Sequence, residues 1–258
     1  MPFASGSSVP VPADQLVLRV EQFGGFAGPN AQLGQLPAVS VYGDGRVITQ
    51  GPQIAIYPGP ALPNVQVQQA SPATVDGLVA KGRQLAAAAA DLGQPGVADG
   101  GTTRITVAGR TISVYALQET QPNDPALTTA QRDARAKLAA FVEQLTELPT
   151  AKGMPEAQPY QPSALAVLSR PWVKPADDLP SPPAVTAWPG PALPGDYLQQ
   201  GPKQGCLTVT GAGVSEVLAA AKTANQNTPW KSGTAVWSVT FRPLLPDESG
   251  CANLQARR

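Results

Sequence analysis

This 258-residue chain contains no histidine, so its 18 carboxylates, its lysines, its hydroxyls and two cysteines must carry any chemistry it does. Without imidazole there is no His-based catalytic triad, no His-ligated zinc and no His-ligated haem. Adjacent carboxylates occur at Asp177–Asp178 and Asp247–Glu248. Neighbouring side chains tend to point apart, so neither pair makes an acid/base couple alone, and both read as solvated loop charges. Two carboxylates converging from separate segments would suit glycoside hydrolysis. A nucleophilic serine finds no support, because G-x-S-x-G and S-x-x-K are both absent.

Gly211-Ala-Gly-Val-Ser-Glu216 follows an apolar alternating stretch and opens a helical one, the setting of a dinucleotide-binding turn. Its third position is Glu216, where close helix–strand packing needs Gly or Ala and where a carboxylate would face a pyrophosphate. The segment therefore reads as a glycine-rich helix start, and no cofactor is expected. Cys206 and Cys251 have no C-x-x-C spacing and no other soft ligand nearby, which predicts a disulfide rather than a metal site. A disulfide implies an oxidising compartment. Three of the four tryptophans adjoin a proline: Trp172, Trp188 and Trp230. Such residues plug the end of a core or form a recognition platform, and these three are the candidate recognition residues.

Lys+Arg and Asp+Glu are both 18, so the net charge is zero, and charged residues make up only 14%. Binding nucleic acid needs a basic stripe that displaces counterions, and none is visible. A polybasic membrane anchor is missing too. No window approaches eighteen apolar residues, so no membrane span is predicted, and a monomer is expected. Residues 1–13 begin with a Ser-, Gly- and Pro-rich stretch without a basic start or apolar run, and read as the flexible beginning of a mature chain from which a signal has been removed.

The elements that must position these residues follow from periodicity. Residues 16–20 alternate and are β-branched, as a strand requires. Residues 39–42 and 46–49 flank Gly43-Asp44-Gly45, a hairpin turn whose glycines accept positive φ. Further short strands are predicted at 54–57 and 65–68. Ser71-Pro72 opens a helix to residue 92, with Ser as N-cap and Pro in the first turn. A second hairpin, 104–107 and 111–117, turns at Ala108-Gly109. Thr128-x-x-Gln131 is a capping box for a helix reaching Leu148, with Leu138, Phe141, Val142 and Leu145 on its apolar face. The Pro-rich stretch 149–162 reads as a linker. Beyond it lie strands at 165–168, 206–210 and 235–241, and a helix at 214–224.

The expectation is an α+β fold with two similar subdomains, 14–148 and 163–258, each a small antiparallel sheet packed by one or two helices. Pro-Gly-Pro-Ala-Leu-Pro occurs twice, after Tyr57 and after Trp188, and each copy precedes a strand and a helix. This suggests a decayed duplication.

Four strings carry a resemblance: SVYGDGRVI at 40–48, GTTRITVAGRTISVYAL at 101–117, NQNTPW at 225–230 and FRPLLPDESGC at 241–251. They resemble a family of uncharacterised exported proteins of actinobacteria, often lipoproteins, over most of residues 14–251. The Ala-rich helices and the preference for Arg over Lys fit such a source. The resemblance implies export and surface anchoring through a lipidated cysteine upstream of the folded part, a cysteine this sequence does not contain. It implies no catalytic residue. The expected function is a non-catalytic cell-envelope protein that binds a protein or wall component. The alternatives are an exported carboxylate-based hydrolase and a secreted protease inhibitor.

Overall fold

A computed structural model describes residues 12–25, 32–175, 184–198 and 204–255. The fold is α+β, with two sheets. The first is built from β1 (Leu16–Gly24), β2 (Val39–Tyr42), β3 (Arg46–Gln50), β4 (Val65–Gln69), β5 (Gly101–Val107), β6 (Arg110–Tyr115) and β7 (Gln158–Pro159), in the order β6-β5-β1-β2-β3-β4-β7, antiparallel throughout. The second contains β8 (Ala164–Pro171), β9 (Thr186–Ala187), β10 (Asp196–Tyr197), β11 (Gly205–Thr210), β12 (Trp230–Ser232) and β13 (Ala235–Pro243), in the order β10-β11-β8-β13-β12-β9.

Helices α1 (Pro72–Ala88) and α2 (Thr129–Thr146) cover one face of the first sheet. Ser71 caps α1 by accepting from the Thr74 amide, and Thr128 and Gln131 complete the capping box of α2. α1 ends before Leu92, short of the expected stop: Gly93 lies beyond it at positive φ, its amide bonded to the Asp91 side chain. Leu138, Phe141, Val142 and Leu145 meet Leu18, Val20, Val41, Ile105 and Val107 from the sheet. Burying each such side chain stabilises the fold by about 1.5–3 kcal/mol. At Gly82 a Cβ would come within 3.0 Å of Phe141 and Val107, so the glycine lets α1 lie close to both. The same face of α2 buries Arg135, which apolar periodicity does not reveal; its guanidinium donates to the carbonyls of Leu92, Tyr115 and Ala116.

α3 (Ala212–Lys222) covers one face of the second sheet, where Val214, Val217 and Ala221 meet Leu165, Val167, Val209 and Phe241. The other face is covered by Leu33, Leu244 and Leu254, the last from α4 (Cys251–Gln255).

Several expectations need correction. The stretch 149–162 is not a spacer: β7 lies within it and pairs with Gln66 and Val67. Gln68 pins the preceding loop by donating to the carbonyls of Pro149 and Pro155, 2.9 and 2.8 Å away. Proline lacks a ladder donor, which suits it to this edge. The predicted strand at 54–57 is absent; Ile54, Ile56 and Tyr57 lie in an exposed loop.

The strand orders also differ between the halves. β5, which follows α1, runs parallel to β4, whereas β12, which follows α3, runs antiparallel to β11. Nor do the PGPALP segments occupy equivalent places. Ala61 and Leu62 of the first copy and Leu193 of the second all pack on the same core, that of the second sheet. The geometry therefore does not support a duplication.

The halves are joined by the segment after β13. Consecutive residues of an extended chain face opposite ways. Leu244 packs on the second sheet with Ala164, Ala166 and Leu168, while Leu245 packs on the back of the first with Tyr42, Ile48 and Val65. The Tyr160 hydroxyl donates to the Leu244 carbonyl at 2.9 Å.

Asp247 and Glu248 are not the solvated pair expected. Glu248 is buried and takes hydrogen bonds from Arg242 at 3.2 and 2.9 Å and from the Leu245 amide at 2.7 Å. Asp247 reaches the other way, to Arg19 and Tyr42 of the first sheet. Asp177 and Asp178 lie outside the described residues.

Candidate functional site

Cys206 and Cys251 are bonded, with Cα atoms 6.0 Å apart, and tie α4 to β11. The bond closes the chain around α3, β12 and β13. The tryptophans separate into two kinds. Trp188 and Trp230 are buried in the second core, edge-to-face with ring centres 5.7 Å apart, and both lie against Phe241. Trp230 is 1% exposed, so it offers no ring face to a ligand. Trp172, just past β8, is only half-buried and lines a groove.

That groove opens where the cover on the second sheet stops. Along β8, Ala164, Ala166 and Leu168 lie under Leu244, Leu254 and the disulfide. The next residue of the same parity is Arg170. Pairing sets Arg170 opposite Ser238 of β13, and Leu168 opposite Thr240 on one side and Cys206 on the other. Continuing the β11 register one step beyond Gly205 brings Gln204 level with Arg170. A polar row of Gln204, Arg170 and Ser238 thus crosses three strands at the end of this otherwise apolar face, beyond Leu244, Leu254 and the disulfide.

The walls come from both halves. On one side the loop 51–63 presents Ile54, Ile56 and Tyr57; on the other stand Trp172 and Val173. The turn beginning at Asn225 links them. Asn227 donates to the Tyr57 hydroxyl at 3.2 Å, and its carbonyl accepts from the Trp172 indole at 3.4 Å. The Gln226 amide donates to Gly59 at 2.9 Å, and Pro60 forms a bridge with Asn225. The groove has two arms, of about 540 and 420 Å³, that share Arg170, Gln226, Asn227 and Thr240.

Its chemistry is simple. Among the described residues, Arg170 is the one ionisable side chain apart from the Tyr57 phenol on the lining. No carboxylate, lysine or cysteine among the described residues lines either arm. Four of the six large apolar side chains exposed among the described residues (Ile54, Ile56, Tyr57 and Val173) stand on its rim. Elsewhere among the described residues, no three Cys, Asp or Glu converge as a metal site would need, and no helix is long and apolar enough to cross a membrane. The Gly211 turn begins α3 with Glu216 exposed on it.

Of the three expected recognition residues, only Trp172 reaches this groove. Arg170, Gln204 and Tyr57 were missed. They come from separated segments, and no motif links an arginine, a glutamine and a tyrosine at such spacings. Comparison with protein-family models, with curated proteins and with solved structures finds no match.

Proposed function

We propose that this chain is a non-catalytic exported protein of the cell envelope that binds a wall component or protein partner in the groove between loop 51–63 and Trp172. The observation that carries the reading is the clustering of Ile54, Ile56, Tyr57 and Val173 around one concave surface. Apolar side chains gathered on a rim mark interaction surfaces, whereas singly scattered ones are ordinary. A lining whose described residues include no carboxylate, lysine or cysteine favours binding over proton transfer or nucleophilic attack at this place. The disulfide favours an oxidising compartment, hence export.

The test is co-sedimentation of purified protein with insoluble cell-wall fraction from an actinobacterium, alongside the Ile54→Asp/Ile56→Asp variant. Both side chains are exposed, so the variant should fold normally and lose retention. Equal retention of the variant and the parent protein would sink the groove as the binding surface.

A further inference from the structure

We infer that the groove takes an acidic oligosaccharide, a hydroxyl-rich chain bearing a carboxylate or phosphate, with the anion on Arg170. This rests on the binding role proposed above and names the ligand class.

The first observation is an orphan acceptor. Gln204 is 8% exposed, lines the groove beside Arg170 and Trp172, and its Oε1 is buried without a hydrogen-bond partner among the described residues. A buried acceptor left unpaired is costly, and such groups call for an explanation. A ligand O–H or N–H reaching the floor of this arm would satisfy it.

The second observation is charge. Arg170 is exposed on the same strand-crossing row, without an ion pair or hydrogen bond to any described residue, and no acidic side chain among the described residues lies on the lining. A planar guanidinium without an acidic partner among the described residues complements a carboxylate or phosphate, which it can hold through two parallel bonds.

The third is the character of the remaining lining. Gln50, Gln53, Gln226, Ser238 and Thr240 present amides and hydroxyls that both donate and accept, matching ligand hydroxyls that do the same. The indole of Trp172 and the phenol of Tyr57, fixed through Asn227, offer flat apolar faces beside polar groups. A peptide bound in extended form would instead need the edge of a sheet for its backbone. β8, which floors this groove, is paired with β11 on one side and β13 on the other.

The experiment is titration calorimetry of the intact protein with three probes: a hexameric oligogalacturonate, the same hexamer with its carboxyls reduced to alcohols, and an acidic peptide of equal charge. Expected is saturable binding of the oligogalacturonate, at least about tenfold tighter than the reduced form, the worth of a charge-assisted hydrogen bond. Arg170→Ala should erase that preference and Gln204→Leu should weaken both sugars severalfold, with thermal melts showing both variants folded. Because Gln204 is buried, Trp172→Ala provides a second reading of the same arm.

Tighter binding of the peptide, no saturable binding of either sugar, or a preference that survives Arg170→Ala would each overturn the assignment. If sugars fail while wall retention still depends on Ile54 and Ile56, the ligand class falls and the groove stands. If wall retention fails as well, both readings fall.

Discussion

Arg19 and Asp247, 228 positions apart, are joined by two parallel hydrogen bonds of 2.8 and 2.7 Å. Arg19 also donates to Ser40 and Tyr42, and the Tyr42 hydroxyl donates to Asp247 at 2.7 Å. The cluster sits where the strap after β13 crosses the back of the first sheet, so it fastens one half of the molecule to the other. The Arg19 side chain is only 5% exposed and that of Asp247 23%. Inside, such a pair gains less than its Coulomb energy suggests, but losing one partner strands the other.

Asp247→Ala should therefore destabilise the protein by about 2–4 kcal/mol in urea melts, near the range for breaking a buried pair. Arg19 would keep its hydrogen bonds to Ser40 and Tyr42 but lose its paired carboxylate. Asp247→Asn retains an acceptor and should cost less. A loss under about 0.5 kcal/mol for the alanine variant, the size of an ordinary surface change, would show that the cluster does not hold the halves together.

The same groups shape the pH dependence. Burial pushes the Asp247 carboxyl up, but the hydrogen bond and charge of Arg19, with the hydrogen bond from Tyr42, outweigh it and hold the group below its ordinary 3.8. Its contribution is present above that value and is lost as the pH falls through the lower folded one. At the alkaline end, burial raises Tyr160 from 10.0 to about 12 and Tyr42 further still. The unfolded chain gives up these protons first, so stability falls as the pH rises from 10.0 towards the folded values. The sequence has no histidine, the side chain that ordinarily changes charge near neutral pH. Thermal melts should show a plateau from about pH 5 to 9 with a decline on either side; a slope of several degrees inside that window would contradict this assignment.

The first core was legible because its signals are local. Ser71, the Thr128–Gln131 box and the 43–45 turn fix element ends, and Leu138, Phe141, Val142 and Leu145 keep helical spacing. Leu138→Ala should accordingly cost about 2–5 kcal/mol in the same melts, and a loss under about 0.5 kcal/mol would mean that this helix face is not packed.

What stayed hidden depends on contacts distant in sequence. Arg19 lies mid-strand in an alternating pattern, where a polar residue is expected to face water, and only the strap carrying Asp247 turns that face inward. Glu248 read as solvated because its partner Arg242 lies just past the expected strand 235–241, where nothing local marks a buried arginine. The row of Gln204, Arg170 and Ser238 is set by the registers of three strands, and the residue types alone give no sign of it. The paired PGPALP strings misled for the opposite reason: a local likeness is real in the sequence, yet both copies serve one core.

The disulfide gives the last test. Cys206 is 3% exposed and lies beneath α4, whose Leu254 closes the covered face of the second sheet. The Cys251 amide and the Thr208 hydroxyl are bonded at 3.1 Å, so α4 is also held without the covalent link. Removing the link should then lower stability without unfolding the second sheet. Closing a loop over a sequence separation of 45 stabilises by about 4 kcal/mol when the effect is carried by the unfolded chain. Cys206→Ala/Cys251→Ala should lose about that much in urea melts. Limited proteolysis should cut the double variant faster near residue 250 than within β8 or β13. Intact mass after treatment with a thiol alkylating agent decides whether the bond is present: no label without reductant and two labels with it. Two labelled thiols in the native, unreduced protein would show that packing and the Thr208 contact hold α4 unaided.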